Sequence, residues 1–99
     1  MAGTPSVADA PERNRYEITV DGTLAGFAEY RLAPDHITFV HTEIGDEFAG
    51  KGLAGVLVRR ALDDVRSREL RVVARCPYVK SWIERHPDYA DLTKLAHNG

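Results

Sequence analysis

From Arg15 to Val20 the chain alternates strictly, with Tyr16, Ile18 and Val20 on one side and Arg15, Glu17 and Thr19 on the other. A period of two predicts a strand with one buried face. Asp21-Gly22 follows, a pair suited to a tight hairpin turn. A second strand is expected over Leu24 to Leu32, where Gly26 thins one face and Tyr30 and Leu32 thicken it; Ala33-Pro34-Asp35 then breaks it. A third strand, His36 to Ile44, sets Phe39, His41 and Glu43 on one face and Val40, Thr42 and Ile44 on the other. Short connections make the three an antiparallel meander.

At Leu53 the period lengthens. Leu53, Leu57, Ala61 and Val65 recur at every fourth position, Ala54, Val58 and Leu62 widen the stripe, and Arg59, Arg60, Asp63, Asp64 and Arg66 project away from it. This predicts an amphipathic helix of about four turns. Leu70 to Ala74 is a short apolar strand. Strand, helix, strand in this spacing form a βαβ unit, so the last strand should run parallel to the third through a right-handed crossover. Pro77 suits a first helical position, which predicts a short helix over Tyr78 to Arg85 capped by Cys76. His86-Pro87 ends it, because a residue before proline is pushed out of helical geometry.

Residues 1–14, rich in Ala and Pro and without a period, read as a flexible leader, and from Asp88 to Gly99 the chain reads as a polar tail with room for one more turn, its end, 93–99, lying outside the domain. The domain is therefore expected over 15–92. Its fold class is α+β: a three-stranded antiparallel meander, a βαβ unit whose fourth strand is parallel to the third, and a short C-terminal helix.

A chain of 99 residues supports one core. With a net charge of -2 it has no global positive field to recruit nucleic acid or an anionic membrane. The single cysteine rules out an internal disulfide and a multi-cysteine zinc site, and no other metal-ligand spacing is apparent. No apolar run approaches the ~20 residues of a membrane helix, and Met1 to Arg13 lacks a signal-peptide core. A cytoplasmic protein is expected, of no particular oligomeric state.

The richest stretch is Glu43 to Gly55, where a glycine turn joins the third strand to the long helix. Glycines let a ligand approach the backbone, and the first helical amides, which lack intrahelical partners, can bind an anion. Gly50-Lys51-Gly52-Leu53-Ala54-Gly55 spells the dinucleotide pattern G-x-G-x-x-G, but the chain is too short for a doubly wound sheet. Where an acid should hold the ribose it carries Arg75 and Cys76, which leaves an NADP-binding fragment as a remote alternative. An ATP-type loop fails for want of Gly-Lys-Ser or Gly-Lys-Thr.

Ala49-Gly50-Lys51-Gly52-Leu53-Ala54 resembles the signature Gln/Arg-x-x-Gly-x-Gly/Ala of the GNAT superfamily of acyl-coenzyme A-dependent N-acetyltransferases, with Ala49 in place of the leading Gln/Arg. From His41-Thr42-Glu43 through Cys76-Pro77-Tyr78-Val79, Trp82-Ile83 and His86-Pro87-Asp88-Tyr89 the chain is similar to the minimal GNAT-like proteins of the YidJ type. The resemblance implies a truncated GNAT fold whose third and fourth strands splay around acetyl-coenzyme A. It places the pyrophosphate on the amides of Gly50, Gly52, Leu53 and Ala54, with Lys51 adding charge and Ile44 beside the gap. Asp46 and Glu47 are expected to face solvent.

The same resemblance implies transfer of acetyl to an amine, on a small molecule or a protein, with the alternative of a non-catalytic acyl-coenzyme A-binding module. Glu43, or His41, would serve as general base, and Tyr78 would protonate the departing thiolate. Cys76 invites a covalent route, because the dipole of the following helix favours a thiolate at its cap. Packing alone accounts equally well for a lone cysteine that shares parity with Leu70, Val72 and Ala74. Trp82 and His86 read as structural.

Overall fold

The computed structural model describes residues 3–94. One five-stranded sheet, its strands side by side in chain order, supports the molecule. β2 (Arg15–Val20), β3 (Thr23–Leu32) and β4 (His36–Ile44) are the expected meander. At the β2–β3 turn Asp21 and Gly22 both have positive φ, 52° and 82°, as a type I′ hairpin requires. The chain then crosses through α1 (Leu53–Ser67) to β5 (Arg71–Ala74), which pairs in parallel with β4, and ends in α2 (Pro77–Glu84) and a 3-10 segment, Pro87–Thr93. The fold is α+β as expected.

Two expectations are corrected. The leader is not unstructured throughout: Pro5–Ala10 forms β1, antiparallel to β2 from Pro5 opposite Val20 to Ala10 opposite Arg15, so the meander has four strands rather than three. Its residues are weak strand formers, and tertiary contacts hold them. Asp9 accepts hydrogen bonds from the Tyr30 hydroxyl (2.6 Å) and from Arg68, just past α1 (2.6 Å). Pro5 is tolerated because it opens an outer strand. The polar segment after His86 is also more than a tail, since Tyr89 and Leu92 are buried in the core. Of the expected tail 93–99, residues 95–99 lie outside the described residues.

Both helices pack on one face of the sheet. Leu57, Val58, Ala61, Leu62 and Val65 of α1 meet Tyr16, Ile18, Ala28, Tyr30, Ile37, Phe39 and Val72, all buried. The opposite face, with Arg15, Glu17, Phe27, Glu29, His41 and Glu43, carries no helix among the described residues and is polar, as antiparallel sheets allow.

Burial, helped by the bond to Asp64 (2.5 Å), pushes the Tyr16 hydroxyl well above its usual range, and burial with the Asp9 bond does the same to Tyr30. An unfolded tyrosine ionises near pH 10. The native state therefore keeps two protons that the unfolded chain releases at higher pH. Stability is complete below pH ~10 and falls above it, by up to ~1.4 kcal/mol per pH unit for each tyrosine. Urea melts at pH 9 and pH 11 should differ accordingly; equal midpoints would mean that the hydroxyls are not shielded.

Candidate functional site

β4 and β5 pair only as far as Phe39 opposite Ala74. The amides of Arg75 and Cys76 both donate to the Phe39 carbonyl at 2.9 Å, and the chain then turns away into α2. β4 continues to Ile44, so from Val40 onward its outer edge has no strand partner among the described residues. Where the resemblance implies a splay, β5 ends at Ala74 while β4 runs on without it.

A β-bulge occurs where the splay begins. Glu29 lies opposite His41 but Tyr30 opposite Phe39, which leaves Val40 unmatched. An inserted residue reverses the side-chain alternation beyond it. Ile37 and Phe39 face the core, and after the bulge Thr42 and Ile44 point to that side. His41 and Glu43 point to the uncovered side, so Phe39, His41 and Glu43 do not share one face as the plain alternation predicted. His41 Nε2 lies 3.1 Å from Glu43 Oε1, both side chains are more than half exposed, and the His41 ring stands 6.0 Å from that of Phe27.

The glycine turn leads from β4 into α1 through a short 3-10 segment, Asp46–Phe48, whose two acids are exposed, as expected. Gly50 and Gly52 have φ of 80° and 74°, and a Cβ at either would meet nothing within 4 Å. Gly52 caps α1 without a side-chain hydrogen bond. The first helical amide with an acceptor is that of Val56, 3.4 Å from the Gly52 carbonyl, which leaves those of Leu53, Ala54 and Gly55 free of intrahelical partners. The Leu53 side chain is buried, so only its backbone is offered. Lys51 and Arg60 are exposed and form no ion pair among the described residues.

α2 closes against this turn. A methyl on Gly55 would make ordinary contact with the Tyr78 hydroxyl (3.8 Å) and the Trp82 indole nitrogen (3.7 Å), so both α2 side chains reach the first turn of α1. A groove of about 390 Å³ runs between the helices, bordered by Gly52, Gly55, Arg59, Arg60, Trp82 and His86. Arg59 lies over Trp82 (5.3 Å) and donates to the Tyr89 hydroxyl (3.2 Å). His86 stacks on Trp82 at 3.7 Å and donates from Nδ1 to the Trp82 carbonyl at 2.6 Å, so it terminates α2. A larger hollow of about 540 Å³ lies at the far end of α1, but its Arg66 is already bound to Asp91 (2.8 Å).

Cys76 is the α2 cap by position, yet its thiol makes no capping bond. It is 3% exposed and donates instead to the Thr42 hydroxyl across the gap, at 3.4 Å.

The GCN5-related N-acetyl-transferase family model matches residues 15–92 of this chain. The chain belongs to that family. Protein NATD1 from Bos taurus is 36% identical over 47 residues, and its counterpart from Homo sapiens 34% over 47. The matched stretch is 48% of this chain and 42% of each of those proteins, so less than half of the curated relatives is spanned. In three dimensions this family member is similar to a GCN5-like protein from Staphylococcus aureus, solved in solution by NMR, with a TM-score of 0.66 at 22% identity over 88% of this chain and 85% of the other. It is also similar to a ribosomal-protein-alanine N-acetyltransferase from Brucella melitensis, with a TM-score of 0.58 at 22% identity over 86% and 64%. Both likenesses concern the fold.

On the GCN5-related frame the expected residues fall into two groups. Gly52 borders the groove, Cys76 bonds Thr42 and Tyr78 reaches the first turn of α1, all on the helix side, whereas Glu43 and His41 stand on the uncovered side. Sequence reasoning does not single out Thr42 or Arg59. Thr42 has only its parity as a signal, and Arg59 only its place one turn after Gly55.

Proposed function

We propose that this GCN5-related N-acetyltransferase moves an acetyl group from acetyl-coenzyme A directly to a primary amine. One observation carries the reading: the unpaired edge of β4 leads straight onto the free amides of α1. The chain's donor set suits a thioester with an anionic tail. The amides of Gly50, Gly52, Leu53 and Ala54 can donate to a pyrophosphate, aided by about half a positive charge at the helix start and a whole one on Lys51. Arg59 and Arg60 extend the positive rim along the groove. Ile44, half-buried, and the β4 edge supply an apolar wall and backbone hydrogen-bonding groups for the chain between pyrophosphate and thioester.

Acetyl-coenzyme A, when bound, supplies an activated acyl group. On the far side of β4, Glu43 takes the proton that an ammonium must lose before it attacks, and His41 steadies the carboxylate. Tyr78 holds a hydroxyl proton where α1 and α2 meet, available to a departing thiolate. Cys76 lines the wall, its burial and its bond to Thr42 supporting direct transfer over an acetylated thiol.

Glu43→Gln should lower kcat by about 10²–10⁴, the usual worth of a general base, with acetyl-coenzyme A affinity unchanged. Thiol release measures the rate, and calorimetry against coenzyme A and NADP measures the ligand. Tight NADP binding without coenzyme A binding would overturn the donor assignment. Intact mass after incubation with acetyl-coenzyme A should show no adduct, and Cys76→Ser should turn over; a single acetyl that disappears in Cys76→Ser would restore the covalent route.

A further inference from the structure

A second irregularity lies on the same side of the sheet as Glu43. Ile18 pairs with Gly26 but Thr19 with Leu24, so Ala25 is an extra residue in β3. The bulge turns Ala25 inward, 2% exposed, and brings Leu24 and Phe27 to the same, uncovered face with only backbone between them. A dent of about 150 Å³ results, lined by Leu24, Gly26, Phe27, Glu43 and Gly45. Phe27 sits directly opposite Glu43 on β4. Leu24 is 46% exposed, one of two large apolar side chains on the described surface that are so open.

The chemistry of this dent is one-sided. Two apolar side chains and glycine backbone form its floor and rim, and Glu43 is the charged group in its lining. Arg15 stays over the Phe27 ring at 4.4 Å, held through Glu17 (2.8 Å). That contact shows that the ring face accepts a cation. Asp46 and Glu47, exposed just beyond Gly45, add negative charge nearby.

We propose that this dent is the acceptor pocket, and that it selects small primary amines with an uncharged apolar stem and without a carboxylate. The assignment rests on the acetyltransferase reading above. The ammonium lies against Glu43 and the stem between Leu24 and Phe27. A free amino acid would bring its carboxylate towards Glu43, where like charges repel, more strongly in a partly enclosed site than in open water.

Isopentylamine, leucine and ethanolamine make the test, since the second adds a carboxylate to the first and the third lacks its apolar stem. Thiol release should give kcat/KM for isopentylamine at least about tenfold above either, the factor that ~1.4 kcal/mol represents. Leu24→Ser, a change at an exposed position, should remove the advantage over ethanolamine while acetyl-coenzyme A affinity by calorimetry stays the same. Independently of the donor, NMR titration of the protein with isopentylamine should shift the Leu24 methyl and Phe27 ring signals. Equal kcat/KM for the three amines, no turnover with isopentylamine despite donor binding, or a titration that leaves Leu24 and Phe27 unmoved would each overturn the pocket. Loss of coenzyme A binding with an intact NMR response would overturn the acetyltransferase reading and leave the dent as an amine-binding pocket rather than an acceptor site.

Discussion

Gly52→Glu will leave the protein folded and unable to hold acetyl-coenzyme A. Gly52 has a φ of 74°, and a Cβ built there meets nothing within 4 Å. A Cβ there clashes with no protein atom, so the expected cost to the fold is that of one left-handed residue, roughly 1–2 kcal/mol. Open space at this point is the approach to the free amides of Leu53, Ala54 and Gly55. A glutamate would fill that approach and set a negative charge at the positive end of α1, where an anionic ligand should lie. Titration calorimetry should show an affinity loss above about 100-fold, or ~2.7 kcal/mol, with a near-native circular dichroism spectrum. Gly52→Asn, a residue that tolerates left-handed backbone, should retain most of the binding. Normal binding by Gly52→Glu would mean that the phosphates lie elsewhere.

Gly26→Ala will act in the opposite way, on the fold before the site. A methyl at position 26 would overlap the Glu43 carbonyl oxygen and the Ile44 side chain. The first of these is backbone in the neighbouring strand, which cannot rotate aside as a side chain can. Gly26 pairs with Ile44, so relief requires β3 and the end of β4 to separate. Overpacking of this kind costs about 1–3 kcal/mol. In a domain of this size each kcal/mol lowers Tm by roughly 4–8 °C, so a fall of about 10 °C is expected in a thermal melt. Because β4 carries Glu43 next to Ile44, acetyl transfer should fall as well, even at temperatures where the variant is folded. A Tm within about 2 °C of the parent would show that the strands accommodate the methyl.

Much of the architecture is legible in the sequence because its signals are local. The stripe from Leu53 to Val65 is a helix whose buried side chains are those the period names. Tyr16 and Ile18 are buried by plain alternation, and Pro77 marks the start of α2. β1 escapes such reading because nothing in Pro5-Ser6-Val7-Ala8-Asp9-Ala10 asks for a strand. What holds it comes from far along the chain, in the bonds of Asp9 to Tyr30 and Arg68. Tyr89 and Leu92 escape for the same reason: their segment packs on β5 and α2, with Trp82 against Tyr89, and their polar neighbours give no sign of it.

The candidate site divides along the same line. The glycine turn announces itself by composition. Which way His41 and Glu43 point does not, because a bulge is invisible to a period-two count. Val40 and Ala25 look like ordinary strand residues, and only the pairing of three strands at once shows that each is an insertion. The Cys76 thiol likewise reaches Thr42 rather than its own helix amides, a partnership between residues 34 positions apart.

The bulge at Val40 also makes β4 a partition. Thr42 and Glu43 are neighbours in sequence, yet one borders the helices and the other the uncovered face. Substitutions at Leu24 or Phe27 can therefore remodel what enters from one side without disturbing Gly52, Tyr78 or Arg59 on the other. A lineage built on this scaffold is free to exchange one substrate for another while its glycine turn stays fixed.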